Sequence, residues 1–117
     1  MRHDARAYLW DAQAAADRIL EFTRGRSLDD DLADAMLRSA VERQFKIIGE
    51  ALNQLTKLAP TIALRIPDVR QIIDFRNVLI HGYAGIDHRT VWRTIEDDLP
   101  NFRGRVAELL SELGETP

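Results

Sequence analysis

Four polar residues within the short segment 76–83 have side chains suited to chemistry: Arg76, Asn77, His81 and Tyr83. An arginine guanidinium stays charged at physiological pH and binds phosphate or carboxylate oxygens through paired hydrogen bonds. A histidine can give or take a proton near neutral pH. This combination favours a site that binds an anion and moves a proton on it.

Arg76 occupies an unusual position in the helix that residues 69–81 are predicted to form. The apolar stripe of this helix consists of Val69, Ile72, Ile73, Leu79 and Ile80. At about 100° per residue, Arg76 falls in the middle of that stripe. Burying an unpaired guanidinium costs several kcal/mol, which is comparable with the stability margin of a small domain. Arg76 therefore needs a function or a partner, and Glu50 or the partner subunit's Asp74 could provide one.

His81 is predicted to lie on a different face of the same helix. This polar face consists of Arg70, Asp74, Asn77 and His81. Gly82 is placed to end the helix, so His81 falls in the last turn, where the helix dipole favours an imidazolium. Five residues separate Arg76 from His81, or about 140° around the axis, so the two side chains do not converge on one small target. Either a second copy of the helix supplies the missing group, or His81 is only a helix cap.

The composition bounds the classes of protein to be considered. The 117 residues form one predicted domain, 1–117, with 45% hydrophobic and 30% charged residues, which is ordinary globular usage. There is no apolar run near the ~20 residues that span a bilayer, no signal-type segment and no cysteine. We therefore expect a soluble, cytoplasmic protein with no membrane contact and no cofactor or metal. The formal net charge is −3, so any contact with nucleic acid has to be local.

Two helices are predicted ahead of the segment 76–83. Hydrophobic and small residues recur at helical spacing over residues 4–23, and the sequence Arg-Gly-Arg at 24–26 closes this helix. Ser27 followed by Asp30 is typical of a capping box. We expect the helix that begins there to run unbroken over residues 30–59.

The predicted long helix carries two apolar stripes, so it is central in the fold or also forms a dimer interface. One stripe consists of Leu37, Val41, Phe45, Ile48 and Leu52, and the other of Leu32, Met36, Ala40, Ile47, Ala51, Leu55 and Leu58. Gly49 inside this helix costs about 1 kcal/mol relative to alanine, which favours a close crossing of another helix there. Glu50 would then be a polar group near the crossing.

The rest of the chain is also predicted to be helical. Pro60 ends the long helix, residues 62–65 form one turn, and Pro67 takes the first position of the helix that carries Arg76. Asp87 is a predicted N-cap, and Pro100 either kinks the helix that follows or starts a new one. Because no alternating strand pattern is present, the predicted fold class is all-α, an up-and-down bundle of four to five helices.

The sequence resembles the HepT family of HEPN-domain toxins over nearly its whole length. The resemblance rests on Arg76-x4-His81-x-Tyr83 with Asn77 after the arginine, on residues 41–52, and on residues 91–100. It implies a HEPN-like fold and a homodimeric, metal-independent endoribonuclease, the toxin of a type II or type VII toxin–antitoxin pair. It also implies an MntA-like nucleotidyltransferase antitoxin that transfers AMP onto Tyr83 and joins the toxin in a complex, up to a larger hetero-oligomer.

The chemistry of RNA cleavage suits these residues. Without a metal, cleavage needs a group for the proton of the attacking 2′-hydroxyl, an acid for the leaving 5′-oxygen and a cation for the phosphate. We expect Arg76 to bind the phosphate, Asn77 to hydrogen-bond it or orient His81, and His81 to transfer a proton. A second His81 across a two-fold axis would be the complementary group.

Other interpretations remain open at this point. The acidic net charge favours a non-catalytic helical module that binds the nucleotidyltransferase and presents a substrate to it. Tyr83 could be a packing residue. Three other aromatic residues are predicted to be core rather than base-stacking groups, and four cations to form a solvated face. The aromatic residues are Trp10, Trp92 and Phe102, and the cations are Arg38, Arg43, Lys46 and Lys57.

Overall fold

The computed structural model describes residues 4–81 and 87–114, except for the side chains of residues 78, 80 and 81. Its helices are α1 (Ala5–Thr23), α2 (Leu28–Ala33), α3 (Ala35–Leu58), α4 (Pro60–Ala63), α5 (Val69–His81), α6 (His88–Asp97) and α7 (Leu99–Leu113). The all-α prediction is confirmed, with five longer helices and the two short segments α2 and α4. Within the described ranges, no helix is both long and apolar enough to cross a membrane.

Helix α1 packs mainly against α3 and α7, and its buried face is rich in alanine. Ala12, Ala15 and Ala16 are fully buried, and such small side chains allow neighbouring helices to approach closely. The Asp4 carboxylate caps the helix by accepting the N–H of Ala7 at 3.0 Å. Helix α1 ends at Thr23, as predicted.

The aromatic residues assigned to the core fall into two groups. Trp92 and Phe102 are buried, as predicted. The prediction for Trp10 was wrong, because its side chain is 51% exposed. Leu9 and Ala12 take the buried face of α1, and Trp10 is turned about 100° from Leu9.

The prediction of one unbroken helix over residues 30–59 was also wrong, because Asp34 separates α2 from α3. Asp34 has an extended backbone, with φ −127° and ψ 97°, and its carboxylate accepts the N–H of Leu37 at 3.1 Å. An aspartate that captures a backbone N–H in this way begins a new helix rather than continuing the old one. Arg38 reinforces the break by donating to the carbonyl oxygen of Asp31 at 2.9 Å.

Helix α2 begins with the predicted capping box. The Ser27 hydroxyl accepts the N–H of Asp30 at 3.2 Å, and the Asp30 carboxylate accepts the N–H of Ser27 at 2.8 Å. Asp31, in the middle of this short helix, is buried. Because α2 packs against both α3 and α6, it joins the two sides of the bundle.

Helix α5, which carries Arg76, packs along α3. All five residues of the first predicted stripe of α3 are buried: Leu37, Val41, Phe45, Ile48 and Leu52. Helix α5 contributes the buried Ile73 and Leu79. The rings of Phe45 and Phe75 meet edge to face, with centroids 5.3 Å apart. Buried apolar residues of α5 therefore lie about one turn before and one turn after Arg76.

The starts of the last three helices depend on single residues. Pro67 does not begin α5, because Asp68 follows with a φ of +61°, and the Asp68 carbonyl accepts the N–H of Ile72. Asp87 caps α6 as predicted, accepting the N–H of Arg89 at 3.0 Å. Pro100 lies in the first turn of α7, so it starts a new helix rather than kinking α6.

Candidate functional site

Helix α5 crosses α3 at Gly49, where Arg76 is the residue in contact. This is the close crossing that the sequence predicted. A Cβ atom added to Gly49 would overlap the Cβ of Arg76 and would lie 2.9 Å from its Cδ. The aliphatic stem of Arg76 therefore occupies the space that any other residue at position 49 would fill. Gly49 is buried, so the stem is fixed between the two helices.

Two polar groups hold the guanidinium of Arg76. Its Nη2 lies 2.6 Å from a carboxylate oxygen of Glu50, and its Nη1 donates to the side-chain oxygen of Asn77 at 3.1 Å. Glu50 is fixed in turn by Gln54, whose amide donates to the other carboxylate oxygen at 3.0 Å. Of the two candidate partners, Glu50 is thus the one found, and Gln54 was not anticipated.

The arginine is held at the edge of the bundle rather than inside it. Its side chain is 23% exposed, whereas that of Glu50 is 46% exposed. Its Nε atom is buried and has no hydrogen-bond partner among the described residues. The guanidinium thus has a rigid stem and a charged end that reaches the surface.

The structure places the other predicted site residues only in part. Asn77 lies beside Arg76 on α5 and is exposed. His81 is the last residue of α5, and the helix is continuous from Arg76 to His81, so the offset of about 140° applies to their Cα positions. Gly82 and Tyr83 lie outside the described residues, as does the side chain of His81.

An open cavity of about 340 Å³ lies beside the Arg76 guanidinium. We call it the Arg76 groove; it is lined by Tyr8, Asp11, Arg43, Lys46, Ile47, Glu50, Ala51, Gln54 and Arg76. It thus brings α1, α3 and α5 together. Its described lining includes three cations and two carboxylates, in a chain whose net charge is −3. The local positive balance is the kind of surface that a phosphate ligand requires.

Arg43 and Lys46 are site residues whose position the sequence did not reveal. Both were assigned to a solvated face, but both line the Arg76 groove. Their spacing relative to Glu50 and Gln54 places all four on one side of α3. The spacing indicates that the four side chains share one side of α3. Only the position of α5 shows that this side borders Arg76.

A second cavity, of about 430 Å³, lies between the start of α5 and the junction of α6 with α7. We call it the Asp98 groove; it is lined by Pro67, Asp68, Gln71, Ile72, Phe75, Thr94, Asp97, Asp98, Asn101 and Phe102. Its charged lining residues are all aspartates. Among the described side chains, in either groove or elsewhere, three or more histidines, aspartates or glutamates do not come together as a metal site would require.

An all-α domain with a fixed arginine at a cationic groove is consistent with a protein that acts on phosphate esters, and comparison with known proteins specifies the class. The family model described as "Ribonuclease HepT-like" matches residues 12–109. The chain belongs to this HEPN-type ribonuclease family. The match includes α3 and α5, so it spans the helices that carry Glu50, Arg76 and His81.

Similar proteins extend the same result over almost the full chain. A protein of Thermococcus cleftensis named "Probable ribonuclease HepT" is 35% identical over 113 residues, 93% of this chain and 98% of that protein. A protein of Methanocaldococcus jannaschii named "Putative RNase MJ1380" is 31% identical over 107 residues, 90% of this chain and 95% of that protein. No solved structure matches the chain significantly.

Proposed function

We propose that this protein is an endoribonuclease that cleaves RNA without a metal ion, and that it is the toxin of a type II or type VII toxin–antitoxin pair. The main support is the fixed guanidinium of Arg76 at a cationic groove, in a member of a ribonuclease family. A guanidinium whose stem is fixed by packing can meet a phosphate without first being ordered. We further propose that it acts on RNA inside the cell that makes it.

In the proposed mechanism, the 2′-hydroxyl of a nucleotide attacks the neighbouring phosphorus. A base removes the hydroxyl proton, the bond from phosphorus to the 5′-oxygen breaks, and an acid gives that oxygen a proton. The products are a 2′,3′-cyclic phosphate and a free 5′-hydroxyl. Arg76 stabilises the charge on the phosphate, Asn77 hydrogen-bonds phosphate or orients His81, and His81 transfers one of the two protons.

The test is RNA cleavage by the purified protein in the presence of EDTA. Arg76→Ala and His81→Ala should each lower the rate by about 10²–10⁴-fold, because each removes a positioned catalytic group. Circular dichroism should show helicity close to that of the wild type, and mass spectrometry should detect the cyclic phosphate. Wild-type rates in either variant would refute the assignment, and loss of wild-type activity in EDTA would refute metal independence.

We propose that two subunits combine to complete the site. Because Arg76 and His81 are about 140° apart on α5, a symmetric dimer with the two 76–83 segments facing each other would bring one residue of each kind together. Apolar residues exposed along α2 and α3 support this arrangement: Met36 is 84% exposed, and Leu32 and Leu58 are each 44% exposed. Light scattering at micromolar concentration should give a dimer, and a monomer would contradict the proposal.

Control by the antitoxin is the second part of the proposed function. A nucleotidyltransferase would transfer AMP from ATP to the hydroxyl of Tyr83, two residues beyond His81, with release of pyrophosphate. The added phosphodiester and nucleoside would block the substrate phosphate. Co-expression should therefore add one or more AMP units, while Tyr83→Phe should stay folded, toxic and unmodified. Intact-mass spectrometry decides the point, since a neutralised but unmodified protein would mean that the antitoxin acts by occlusion alone.

The alternative function is a non-catalytic module that binds the nucleotidyltransferase. The net charge of −3 is the observation that favours it. The two functions differ in one measurement, because a binding module would form the complex but would not cleave RNA by itself. If the protein expressed without a nucleotidyltransferase inhibits growth and His81→Ala abolishes this inhibition, the protein is a toxin rather than a binding module.

A further inference from the structure

The Arg76 groove continues along α3 beyond the residues that the proposed mechanism uses. Arg43 and Lys46 are one helical turn apart, and Arg76 crosses α3 about one turn further on, at Gly49. The points at which the three cationic side chains meet α3 therefore follow one another at about 4.5 Å along its axis, and the guanidinium of the third, Arg76, lies at Glu50. A row of this kind suits a chain of phosphates better than a single anion.

The charges of the groove are not equivalent. Arg76 is paired with Glu50 at 2.6 Å, so much of its charge is already balanced within the protein. Arg43 is exposed and Lys46 is partly exposed, and the hydrogen bonds and ion pairs that hold Arg76 do not involve either of them. Asp11 on the α1 wall offsets part of their charge, so the remaining long-range attraction of a polyanion should depend mainly on these two cations.

The opposite wall of the groove is formed by α1 and includes the ring of Tyr8. Tyr8 is partly exposed and packs at the edge of the core, so its ring has a fixed position. Aromatic rings beside a cationic track are the usual platforms for unpaired bases. The volume of about 340 Å³ lies near the lower end of the roughly 300–1,000 Å³ range of small-ligand sites, which suits one nucleotide rather than a duplex.

We propose that the Arg76 groove is a binding subsite for single-stranded RNA, which holds a nucleotide next to the one that is cleaved. Arg43 and Lys46 contact its phosphates, and the ring of Tyr8 stacks on its base. This inference rests on the proposed ribonuclease function and adds to it the strand type and the path that the RNA takes away from Arg76.

The test measures binding separately from cleavage. A short single-stranded RNA with 2′-O-methyl riboses has no attacking hydroxyl, so fluorescence anisotropy can follow its binding to the intact protein. Arg43→Gln and Lys46→Gln should each weaken binding roughly tenfold, as the loss of one charge-assisted hydrogen bond predicts. Each should also lower the slope of log affinity against log salt by about 0.7, the value expected for one phosphate contact in a single strand.

Lys57→Gln is the matched control, because it removes the same charge from the same helix. Lys57 does not line the groove and lies about 16 Å beyond Lys46 along α3, so its replacement should leave the binding of a short RNA unchanged. Equal losses in Lys46→Gln and Lys57→Gln would mean that only the total charge matters, and would overturn the subsite.

The stacking role of Tyr8 has its own pair of variants. Tyr8→Leu should weaken binding about tenfold without changing the salt slope, whereas Tyr8→Phe keeps the ring and should retain most of the affinity that Tyr8→Leu loses. Equal affinity in Tyr8→Leu would remove stacking from the proposal. Competition with AMP completes the test. If AMP displaces the labelled RNA as effectively as unlabelled RNA does, the groove is a site for free nucleotides instead.

The outcomes separate this inference from the function on which it rests. If the wild type cleaves RNA but Arg43→Gln and Lys46→Gln bind it normally, the subsite is wrong and the ribonuclease stands. If the wild type neither binds nor cleaves RNA, the proposed function itself fails.

Discussion

Helix α5 contributes to two grooves that differ in the sign of their charge. The described lining of the Arg76 groove has three cations and two carboxylates, whereas the charged residues of the Asp98 groove are three aspartates. The Asp98 groove is the larger, at about 430 Å³ against 340 Å³, and Phe75 and Phe102 provide it with apolar surface. Size and apolar surface alone would therefore select the Asp98 groove, although its carboxylates repel phosphates.

The grooves also differ in how their charged groups are held. Arg76 is fixed through its stem by Gly49 and through its guanidinium by Glu50 and Asn77. Asp97 is the last residue of α6 and Asp98 lies between α6 and α7, where its side chain makes no capping hydrogen bond. This contrast suggests that a fixed charge, more than a cavity, marks the site, and three predictions examine it in order of decreasing effect.

Gly49→Ala should have the largest effect, because it disturbs the fixed arginine without touching its charge. The new methyl group would overlap the Arg76 stem, and a displacement of about 1 Å can cost roughly 10²-fold in rate. Overpacking usually costs about 1–3 kcal/mol, and the upper end of that range applies because the overlap is with the Cβ of Arg76 rather than with the end of a flexible side chain. Stability should therefore fall even after alanine's gain of about 1 kcal/mol in helix propensity. RNA cleavage and urea denaturation measure the two effects.

Gly104→Ala is the control for that experiment. Gly104 is also helical, in α7, but an added Cβ would meet nothing within 4 Å among the described residues. This variant should be more stable than the wild type by about 0.5–1 kcal/mol and fully active. If both alanine variants behaved alike, the crossing at Gly49 would not be what positions Arg76.

Glu50→Gln should have an intermediate effect of mixed sign. It keeps the shape of the side chain but removes the charge that holds Arg76, so cleavage should slow about tenfold. Binding of the 2′-O-methyl RNA should instead become severalfold tighter, because the groove loses a negative charge. Stability should change by less than about 1 kcal/mol, since the Glu50 side chain is 46% exposed. A parallel loss of binding and cleavage would show that Glu50 only supports the fold.

Replacing the aspartates of the other groove should have the smallest effect. Asp97→Asn combined with Asp98→Asn removes two negative charges. This changes the net charge by the same amount as adding two cations would. Because these residues are away from the Arg76 groove, affinity for a short RNA should change by less than about twofold at 0.15 M salt, where the screening length is about 8 Å. A tenfold gain would show that net charge, rather than the local row of cations, controls binding.

The parts of the site that could be predicted from the sequence are those where a residue does not fit the pattern of its helix. Arg76 in an apolar stripe required a partner, and Glu50 is that partner. Gly49 inside a helix required a close crossing, and Arg76 itself crosses there. These deductions succeed because a partly buried charge, or a glycine inside a helix, costs free energy that must be offset nearby.

Other features could not be predicted because they depend on which elements meet. Arg43 and Lys46 look like any exposed pair on a helix until α5 is placed beside them. Trp10 is apolar, but α1 packs against α3 and α7 through its face of buried alanines, which leaves Trp10 exposed. Asp34 ends one helix and caps the next inside a run with no glycine or proline, where periodicity gives no warning.

The buried carboxylate of α2 gives this domain an unusual response to acid. Burial raises the pKa of Asp31 above the ordinary 3.8, while His88 and Arg38 act in the opposite direction and Asp34 adds to the rise. The folded state therefore holds this proton more tightly than the unfolded chain does. As the pH falls towards the raised pKa, protonation of Asp31 relieves the cost of its burial and favours the folded state.

The helix-capping aspartates respond in the reverse order. Hydrogen bonds from backbone N–H groups lower the pKa of Asp4, Asp30, Asp34 and Asp87, so their stabilising effect is lost only at still lower pH, as each becomes protonated. Mild acid should thus tighten the junction of α2 with α3 and α6 before stronger acid releases the helix ends. Melting temperatures measured from pH 7 to pH 3 should pass through a shallow maximum, which Asp31→Asn should remove.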